Sequence, residues 1–213
     1  MPAPFTLTGR LVRLEPMREE HLGPLLRAAT EDRTSFGYTY VPRDAAAVRR
    51  YLDVALEDLE AHVAMAFTTI DPRDGTVVGS TRFRELEYWN AGVWPPRHGR
   101  TNPSGIPDAV EIGSTWLTPR TQRTGVNTEA KLLMMAFAFE TLGAVRVVWV
   151  TDILNLRAQA AIERLGAVRE GVLRKHRRRS DGSWRDTVIY AMVDDDWQAA
   201  RKRLIARVNA VSG

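Results

Sequence analysis

A short polar segment between a strand-like run and a helix-like run limits the possible folds of this chain more than any other feature. The segment is Gln122-Arg123-Thr124-Gly125-Val126-Asn127-Thr128, the strand-like run is 109–117 and the helix-like run is 129–142. A loop that starts a helix leaves backbone N–H groups unpaired, and the positive end of the helix dipole adds to their attraction for anions. The segment therefore predicts an α/β fold with a loop that binds phosphate or pyrophosphate.

The residues of this loop suit an anion. Gly125 has no Cβ, so a ligand can approach the backbone closely and φ can be positive. Arg123 adds positive charge, Thr128 can cap the helix, and Glu129 suits the first turn. The segment lacks the Gly-Lys-Ser/Thr of a P-loop and the three glycines of a dinucleotide fingerprint. An ordinary strand-to-helix connection with a capping threonine is the alternative interpretation.

Composition favours one domain in a reducing compartment. The chain has 213 residues, of which 44% are hydrophobic, so we expect a single domain over residues 1–213. The absence of cysteine excludes disulfides, thiolate metal sites and a cysteine acyl-enzyme. The apolar stretches are too short to span a membrane and the first residues lack a secretory pattern, so we expect a cytoplasmic protein. The net charge of +4 suits an anionic small molecule as well as a nucleic acid.

Strand and helix signals alternate along the whole chain, which is typical of a mixed α/β sheet. The N-terminal half predicts a strand with a turn over 5–14, a helix over 18–30, a helix capped by Asp44, a hairpin of strands 63–70 and 76–85, and a long loop over 89–107. The C-terminal half predicts a strand over 109–117, a helix over 129–142, a central strand over 144–150, a helix capped by Asn155, a hairpin of strands 168–178 and 185–193, and a helical tail over about 194–213.

These motifs, in this order, resemble those of the GNAT acetyltransferase superfamily. Residues 122–127 resemble its Gln/Arg-x-x-Gly-x-Gly/Ala loop, although Asn127 departs from the usual last residue. Asn155 and the stretch from Glu170 to Arg174 resemble the branch that contains the ribosomal-protein N-terminal alanine and serine acetyltransferases. The resemblance is good over 109–197. It implies a mostly antiparallel central sheet that contains a splayed parallel strand pair, with helices on both faces.

The resemblance also implies a reaction, the transfer of an acetyl group from acetyl-CoA to a primary amine by direct attack in a ternary complex. The amine belongs to a protein N-terminus or a small molecule, and no metal is implied. In the family the loop amides hold the CoA pyrophosphate, and the splayed strand and a later asparagine contact the pantetheine arm. The corresponding residues here are Trp116, Leu117, Thr118, Gln122, Arg123, Thr124, Gly125, Val126, Asn127, Thr128 and Asn155. The alternative role of Asn155 is a helix cap, and the two roles are compatible.

The reaction needs a group that accepts a proton from the amine. An α-amine with a pKa of about 7.7–8.0 needs less help than a lysine with a pKa of about 10.4. Glu111 is our first choice for this general base, acting through a water, because it lies on the strand that faces the acetyl group in the family. Glu85 and Glu87 are alternatives. A solvated or salt-bridged Glu111 without a catalytic role stays open.

The general acid is less well defined by the sequence. Ile162 stands where many members of the superfamily carry a tyrosine that protonates the leaving thiolate, so the acid comes from elsewhere or from water. His176 and Tyr190 are candidates. The remaining histidines have no metal-ligand spacing and are expected on the surface: His21, His62 and His98.

Other functional classes stay open. The basic run 174–179 is typical of nucleic-acid contacts, so one alternative is a non-catalytic nucleic-acid or protein binding module on a GNAT-like scaffold. A solvated strand face explains the same run, and no aromatic residue interleaves with it, so we do not expect nucleic-acid binding. A third class acetylates an antibiotic or a polyamine, and acidic residues in the acceptor pocket would favour a polycationic acceptor. The branch resemblance, with the apolar residues Trp184, Ile189 and Trp197, predicts a homodimer.

Overall fold

A computed structural model describes residues 3–89 and 105–211 and the backbone of residues 98–99. The α-helices of these residues are α1 (Leu22–Thr30), α2 (Ala45–Glu60), α3 (Val126–Ala136), α4 (Leu156–Glu163) and α5 (Asp194–Ala210). The strands are β1 (Leu7–Thr8), β2 (Arg13–Pro16), β3 (Met65–Ile70), β4 (Val77–Trp89), β5 (His98–Gly99), β6 (Ala109–Leu117), β7 (Arg146–Asp152), β8 (Val168–Arg178) and β9 (Trp184–Val193).

The strands of the described residues form one sheet in the order β1-β2-β3-β4-β6-β7-β9-β8, and β5 pairs with the end of β4. Every pair in this part of the chain is antiparallel except β6 with β7, which is parallel. The predicted mixed, mostly antiparallel sheet with one parallel pair is therefore confirmed. The apolar strand β7 lies between β6 and β9, inside the sheet as expected.

The parallel strands β6 and β7 separate partway along their length. They pair only at Ala109 with Arg146, Val110 with Val147 and Glu111 with Val148. Beyond these pairs β6 continues to Leu117 and β7 to Asp152. The two strands therefore leave a gap between them at their carboxyl ends, which confirms the expected splay.

A β-bulge in β6 accompanies this separation. Between the residues that pair with Ser80 and Arg82 of β4, strand β6 has the two residues Ser114 and Thr115, and β4 has only Thr81. Ser114 has a φ of 49°, which is uncommon for a residue with a side chain. An extra residue in one strand bends that strand and increases its twist. The bulge therefore lies where β6 leaves β7.

Two clusters of buried apolar residues pack on opposite sides of the sheet. One joins α3, α4 and α5 to the sheet through residues that include Ile112, Met134, Trp149 and Tyr190. The other joins α1 and α2 to β3 and β4, and on β6 it extends only to Trp116. Helices therefore cover both faces, but α1 and α2 cover only the β2–β4 half of theirs.

Short-range sequence signals are largely confirmed. Asp44 caps α2 by accepting a hydrogen bond from the N–H of Ala47 at 2.8 Å. Asn155 caps α4 by accepting from the N–H of Ala158 at 3.0 Å. Both predicted hairpins form, and Gly182 turns the second with a φ of 83°. The predicted loop 89–107 begins with Trp89 still in β4 and contains β5, and most of the rest lies outside the described residues.

Helix α3 begins three residues earlier than the sequence predicts. Gly125 occupies the N-cap position with a φ of 87°, and the first bond inside the helix runs from the N–H of Glu129 to the carbonyl of Gly125 at 2.9 Å. Thr128 therefore lies inside the helix, and its predicted capping role is wrong. The final six residues of the predicted helix, Phe137–Leu142, are π-helical, and Gly143 ends the segment with a φ of 71°.

Two residues predicted on the surface are buried. Nδ1 of His21 accepts a hydrogen bond from the N–H of Arg18 at 3.1 Å and lies 3.0 Å from Oγ1 of Thr68. Burial lowers the pKa of His21. Trp197 stacks on Phe139 at 5.4 Å between ring centroids and is 2% exposed, so it does not contribute to a surface patch. His62 is exposed as expected, and the side chain of His98 lies outside the described residues.

Candidate active site

The loop before α3 has the geometry of an anion-binding concavity. Arg123 and Gly125 have φ values of 65° and 87°, whereas the φ of Thr124 between them is not positive. Alternation of right- and left-handed residues turns successive N–H groups toward one point, and such nests bind anions. The N–H groups of residues 126–128 precede the first bond inside the helix and add further donors. Arg123 and Thr124 are exposed, so the concavity is accessible.

Contacts within the protein hold this loop in shape. The side-chain amide of Gln122 donates to the carbonyl of Leu117 at 2.9 Å and to Oγ of Ser35 at 2.8 Å. The hydroxyl of Thr124 donates to the carbonyl of Thr121 at 2.6 Å. These bonds fix the loop to the end of β6, so its backbone donors are preorganised.

Gly125 packs against other parts of the chain. A Cβ on Gly125 would lie 3.0 Å from Cδ1 of Leu11 and 3.2 Å from Cγ1 of Val211. The absent side chain therefore makes room for the β1–β2 hairpin and the residue after α5. The lack of a Cβ and the positive φ are both needed for the fold itself.

At the gap, the end of β6 has a backbone N–H that points away from β4. The N–H of Thr118 donates to the carbonyl of Val78 on β4 at 2.7 Å. Because neighbouring N–H groups of a strand point to opposite sides, the N–H of Leu117 points away from β4. Trp116 on β6 and Trp149 on β7 both lie beyond the last paired residues of these strands. Their buried indole N–H groups have no acceptor among the described residues.

Glu111 lies at the last paired position before the gap. It is 6% exposed, and its Oε1 is 3.7 Å from Nε of Arg84. Burial raises the pKa of Glu111, while Arg84 acts in the opposite direction. A buried carboxyl group with a raised pKa is a better proton acceptor near neutral pH than an exposed one. The structure therefore places the predicted base at the gap in a suitable environment.

Lys131, which no sequence pattern singled out, lies behind the bulge of β6. Its Nζ donates to Oγ1 of Thr81 and to Oγ1 of Thr115, each at 2.7 Å. Complete burial lowers its pKa from 10.5 to about 7. The available signal was a lysine within an apolar helical stretch, next to Ala130 and four residues before Met135. Lys131 ties α3 to the bulge, and so connects the loop before α3 to the gap.

The other candidate acid–base residues are placed less favourably. Glu85 is exposed and pairs with Arg84 at 2.6 Å. Glu87 is also exposed, and it accepts from the indole N–H of Trp89 at 3.0 Å. Burial raises the pKa of Tyr190 to about 12, and its hydroxyl donates to Glu163 at 2.8 Å. The contacts of Glu85 and Glu87 favour Glu111 as the base, and the contact of Tyr190 with Glu163 disfavours Tyr190 as the acid.

One face of β6, β7 and β9 beyond the α1–α2 cluster is open among the described residues. Side chains on this face include Glu111 of β6, Val148 and Val150 of β7, and Ile189 of β9, which pairs with Val150. The two valines and Ile189 are half-buried. We call this surface the open face. Glu111 lies on it, and it is a candidate for acceptor binding.

Two further observations concern metal ions and membranes. The described residues contain no group of three or more His, Cys, Asp or Glu side chains arranged to hold a metal ion. None of the helices within residues 3–89 and 105–211 is long and apolar enough to cross a membrane.

The family model of the acetyltransferase (GNAT) domain matches residues 11–168 of this chain. The chain therefore belongs to the GNAT acetyltransferase family, as the order of its motifs predicts. None of the curated proteins matches it with statistical significance.

Solved structures agree with this assignment. A GCN5-related N-acetyltransferase from Brucella melitensis has a TM-score of 0.80 and 27% identity, over 97% of this chain and 86% of that one. A protein from T. thermophilus assigned to the acetyltransferases has a TM-score of 0.74 and 32% identity, over 97% and 98%. RimJ from Mycobacterium smegmatis, in complex with CoA-disulfide, has a TM-score of 0.75 and 19% identity, over 96% and 95%, and shares the fold.

Proposed function

We propose that this protein transfers an acetyl group from acetyl-CoA to a primary amine by direct attack in a ternary complex. The observation that carries the proposal is the gap between β6 and β7, which lies beside a preorganised anion-binding loop at the start of α3. A nucleotide pyrophosphate fits the loop, and an extended arm with amide groups fits the unpaired strand edge. The backbone donors of the loop and of the strand edge therefore belong to neighbouring parts of the fold.

Within this proposal, the loop residues Gln122, Arg123, Thr124, Gly125, Val126, Asn127 and Thr128 hold the pyrophosphate. Trp116, Leu117 and Asn155 contact the pantetheine arm. The N–H and hydroxyl of Thr118 are already bonded to Val78 and Thr121, so we assign Thr118 a role in shaping this wall. Asn155 caps α4 through its side-chain oxygen, and a ligand carbonyl can accept from its side-chain N–H groups.

The reaction joins the amine nitrogen to the acetyl carbon and breaks the thioester C–S bond. The amine therefore loses one proton, and the leaving sulfur gains one. We assign the first proton to Glu111, directly or through a water, because its carboxyl lies at the gap with a raised pKa. The N–H of Leu117 lies six residues along β6 from Glu111, so we assign it to an amide carbonyl of the pantetheine arm and not to the thioester. Water supplies the proton to sulfur, since Tyr190 donates to Glu163 instead and His176, the other candidate acid, is exposed on the edge strand β8.

Thiol release tests this function directly. The assay contains acetyl-CoA and a panel of peptides with Ala, Ser or Met N-termini, together with amine drugs and polyamines. Calorimetric titration with CoA in the presence of a chelator tests binding independently of the acceptor. Tight CoA binding and amine-dependent thiol release are expected. Absence of any heat or thermal shift with CoA would remove the proposal.

The oligomeric state and location stay predictions. We propose a homodimer on the branch resemblance and on Trp184, which is 49% exposed at the start of β9. Trp197 no longer supports this prediction because it is buried, and Ile189 lies on the open face. Light scattering distinguishes the dimer from a 24.0 kDa monomer. The cytoplasmic location rests on sequence composition alone.

A further inference from the structure

Two arginines lie directly opposite each other at the border of the open face. Arg177 of β8 pairs in register with Arg185 of β9. Like charges at opposite cross-strand positions destabilise a sheet. Arg185 is also half-buried, and its Nε is buried with no acceptor among the described residues. Burial lowers the pKa of Arg185, and the neighbouring Arg177 lowers it further, although Asp152 and Glu111 act in the opposite direction.

The acidic residues near this pair already have partners. Both carboxylate oxygens of Asp152 accept from Arg179, at 2.6 and 2.9 Å. Glu111 lies against Arg84. The two carboxylates that act on Arg185, those of Asp152 and Glu111, are therefore already paired with other arginines.

The two arginines lie on the same face of the sheet as the proposed base. Both Arg177 and Arg185 act to lower the pKa of Glu111. On β9, Arg185 lies on the same face as Thr187 and Ile189, because alternate residues of a strand share a face. The two arginines and Glu111 therefore border one surface, with Val148, Val150 and Ile189 between them.

We propose that the amine acceptor carries an anionic group, a carboxylate or a phosphate, which Arg185 and Arg177 bind while its amine faces Glu111. The inference rests on the proposed function and narrows its substrate class. A guanidinium group binds either anion through two parallel hydrogen bonds, and the anion relieves the repulsion between the opposed cations. Polyamines and other polycationic acceptors do not suit this surface, because they would add to that repulsion.

Acceptors matched in everything except charge test the proposal. One pair is the peptides Ala-Glu and Ala-Gln, both with amidated C-termini. The other pair is phosphoethanolamine and ethanolamine, and spermidine serves as the polycation. Thiol release gives kcat and KM for each, and calorimetry with CoA present gives affinity independently of turnover. We expect the anionic member of a pair to bind at least about tenfold more tightly. The peptide and phosphate arms show which source of the anion fits.

Two variants and a matched control locate the effect. Arg185→Gln and Arg177→Gln should each remove most of the preference for the anionic acceptor and leave CoA affinity unchanged. Arg177→Gln should not lower the melting temperature, because it removes one of two opposed cations. Arg164→Gln makes the same change of charge at an exposed position at the end of α4 and should leave the preference intact.

The outcomes separate the two proposals. If CoA does not bind, the proposed function fails. If CoA binds but neutral and anionic acceptors bind equally, or no acceptor of the panel binds, only the anionic-acceptor inference is overturned. That inference is also overturned if Arg164→Gln reduces the preference as much as Arg185→Gln does.

Discussion

The carboxylate of Glu111 lies over Gly113, in the space that a Cβ on Gly113 would occupy. The two residues are neighbours on one face of β6, and Gly113 comes just before the bulge. The missing side chain lets the carboxyl group lie along the strand toward the gap. The same Cβ would also lie 3.2 Å from Cδ of Arg84, so Gly113 makes room for both members of the ion pair.

Replacing Gly113 should therefore displace the proposed base. We expect Gly113→Ala to reduce kcat markedly, and Glu111→Gln to reduce it by about 10²–10⁴, the usual contribution of general acid–base catalysis.

Activity of the parent protein should fall as pH decreases through the raised pKa of Glu111, because only the carboxylate accepts a proton. Glu111→Gln should lose this acidic limb of the pH profile.

Gly171→Ala is the matched control for this substitution. Gly171 lies in β8, and a Cβ there meets nothing within 4 Å. Steady-state kinetics and CoA calorimetry on all three variants separate catalysis from binding. Parent-like kcat in Gly113→Ala would show that the position of Glu111 does not matter.

Lys131 should make the stability of the protein depend on pH. Its pKa is lowered from 10.5 to about 7, so between these values the unfolded chain binds more protons than the folded one. Stability should then rise as pH increases through this window, at a rate of at most about 1.4 kcal/mol per pH unit for this one group. Lys131→Met should flatten this rise in stability. Relative to the parent, the variant should be most stable at the low-pH end of the window.

Denaturant unfolding at several pH values measures this slope. Lys202→Met on α5 is the control, because Lys202 is exposed. Equal slopes for the parent and Lys131→Met would show that burial does not perturb the pKa of this lysine.

Substitution of Lys131 should also weaken CoA binding, since its two threonine contacts connect α3 to the bulge.

Gly125 should be important for folding as well as for ligand binding. A side chain there adopts an unfavourable positive φ and also presses on Leu11 and Val211. Gly182→Ala is a control for the first effect alone, because Gly182 has a φ of 83° and nothing within 4 Å of a Cβ. We expect Gly125→Ala to lose about 1–3 kcal/mol more unfolding free energy than Gly182→Ala, the usual cost of overpacking. Equal losses in chemical denaturation would contradict this packing argument.

Glu129 should stabilise the N-terminal hairpin against α3. Its carboxylate accepts from the N–H groups of Arg10 at 3.0 Å, Leu11 at 2.5 Å and Val12 at 2.9 Å. A glutamine side chain has only one acceptor oxygen, so we expect Glu129→Gln to lower the unfolding free energy by about 1.5–3 kcal/mol. Glu60→Gln, at the exposed end of α2, should change it little. Similar stability of the two variants would show that the three bonds contribute nothing net.

Features whose partners are close along the chain follow from the sequence alone. Asp44 and Asn155 each cap a helix by bonding three residues ahead, and the hairpin turn at Asp181-Gly182 closes between adjacent strands. The motif order also identified the family, and the strand–loop–helix pattern placed the loop before α3. Local hydrogen bonds and backbone preferences act within a few residues, so a pattern in the sequence is enough to recognise them.

Which polar side chains are buried, and what they contact, depends on the tertiary packing. The first turn of α3 is held by Glu129 through an amide 119 residues away, and Lys131 reaches Thr81 across 50 residues. His21 is buried against Thr68, and Arg177 meets Arg185 only because a bulged hairpin aligns them. The burial of a side chain and the balance of charge around it depend on which elements pack together. The spacing of residues within one segment does not reveal either. The candidate base and the basic run 174–179 were visible in the sequence, but the position of Arg177 and Arg185 on the face of Glu111 was not.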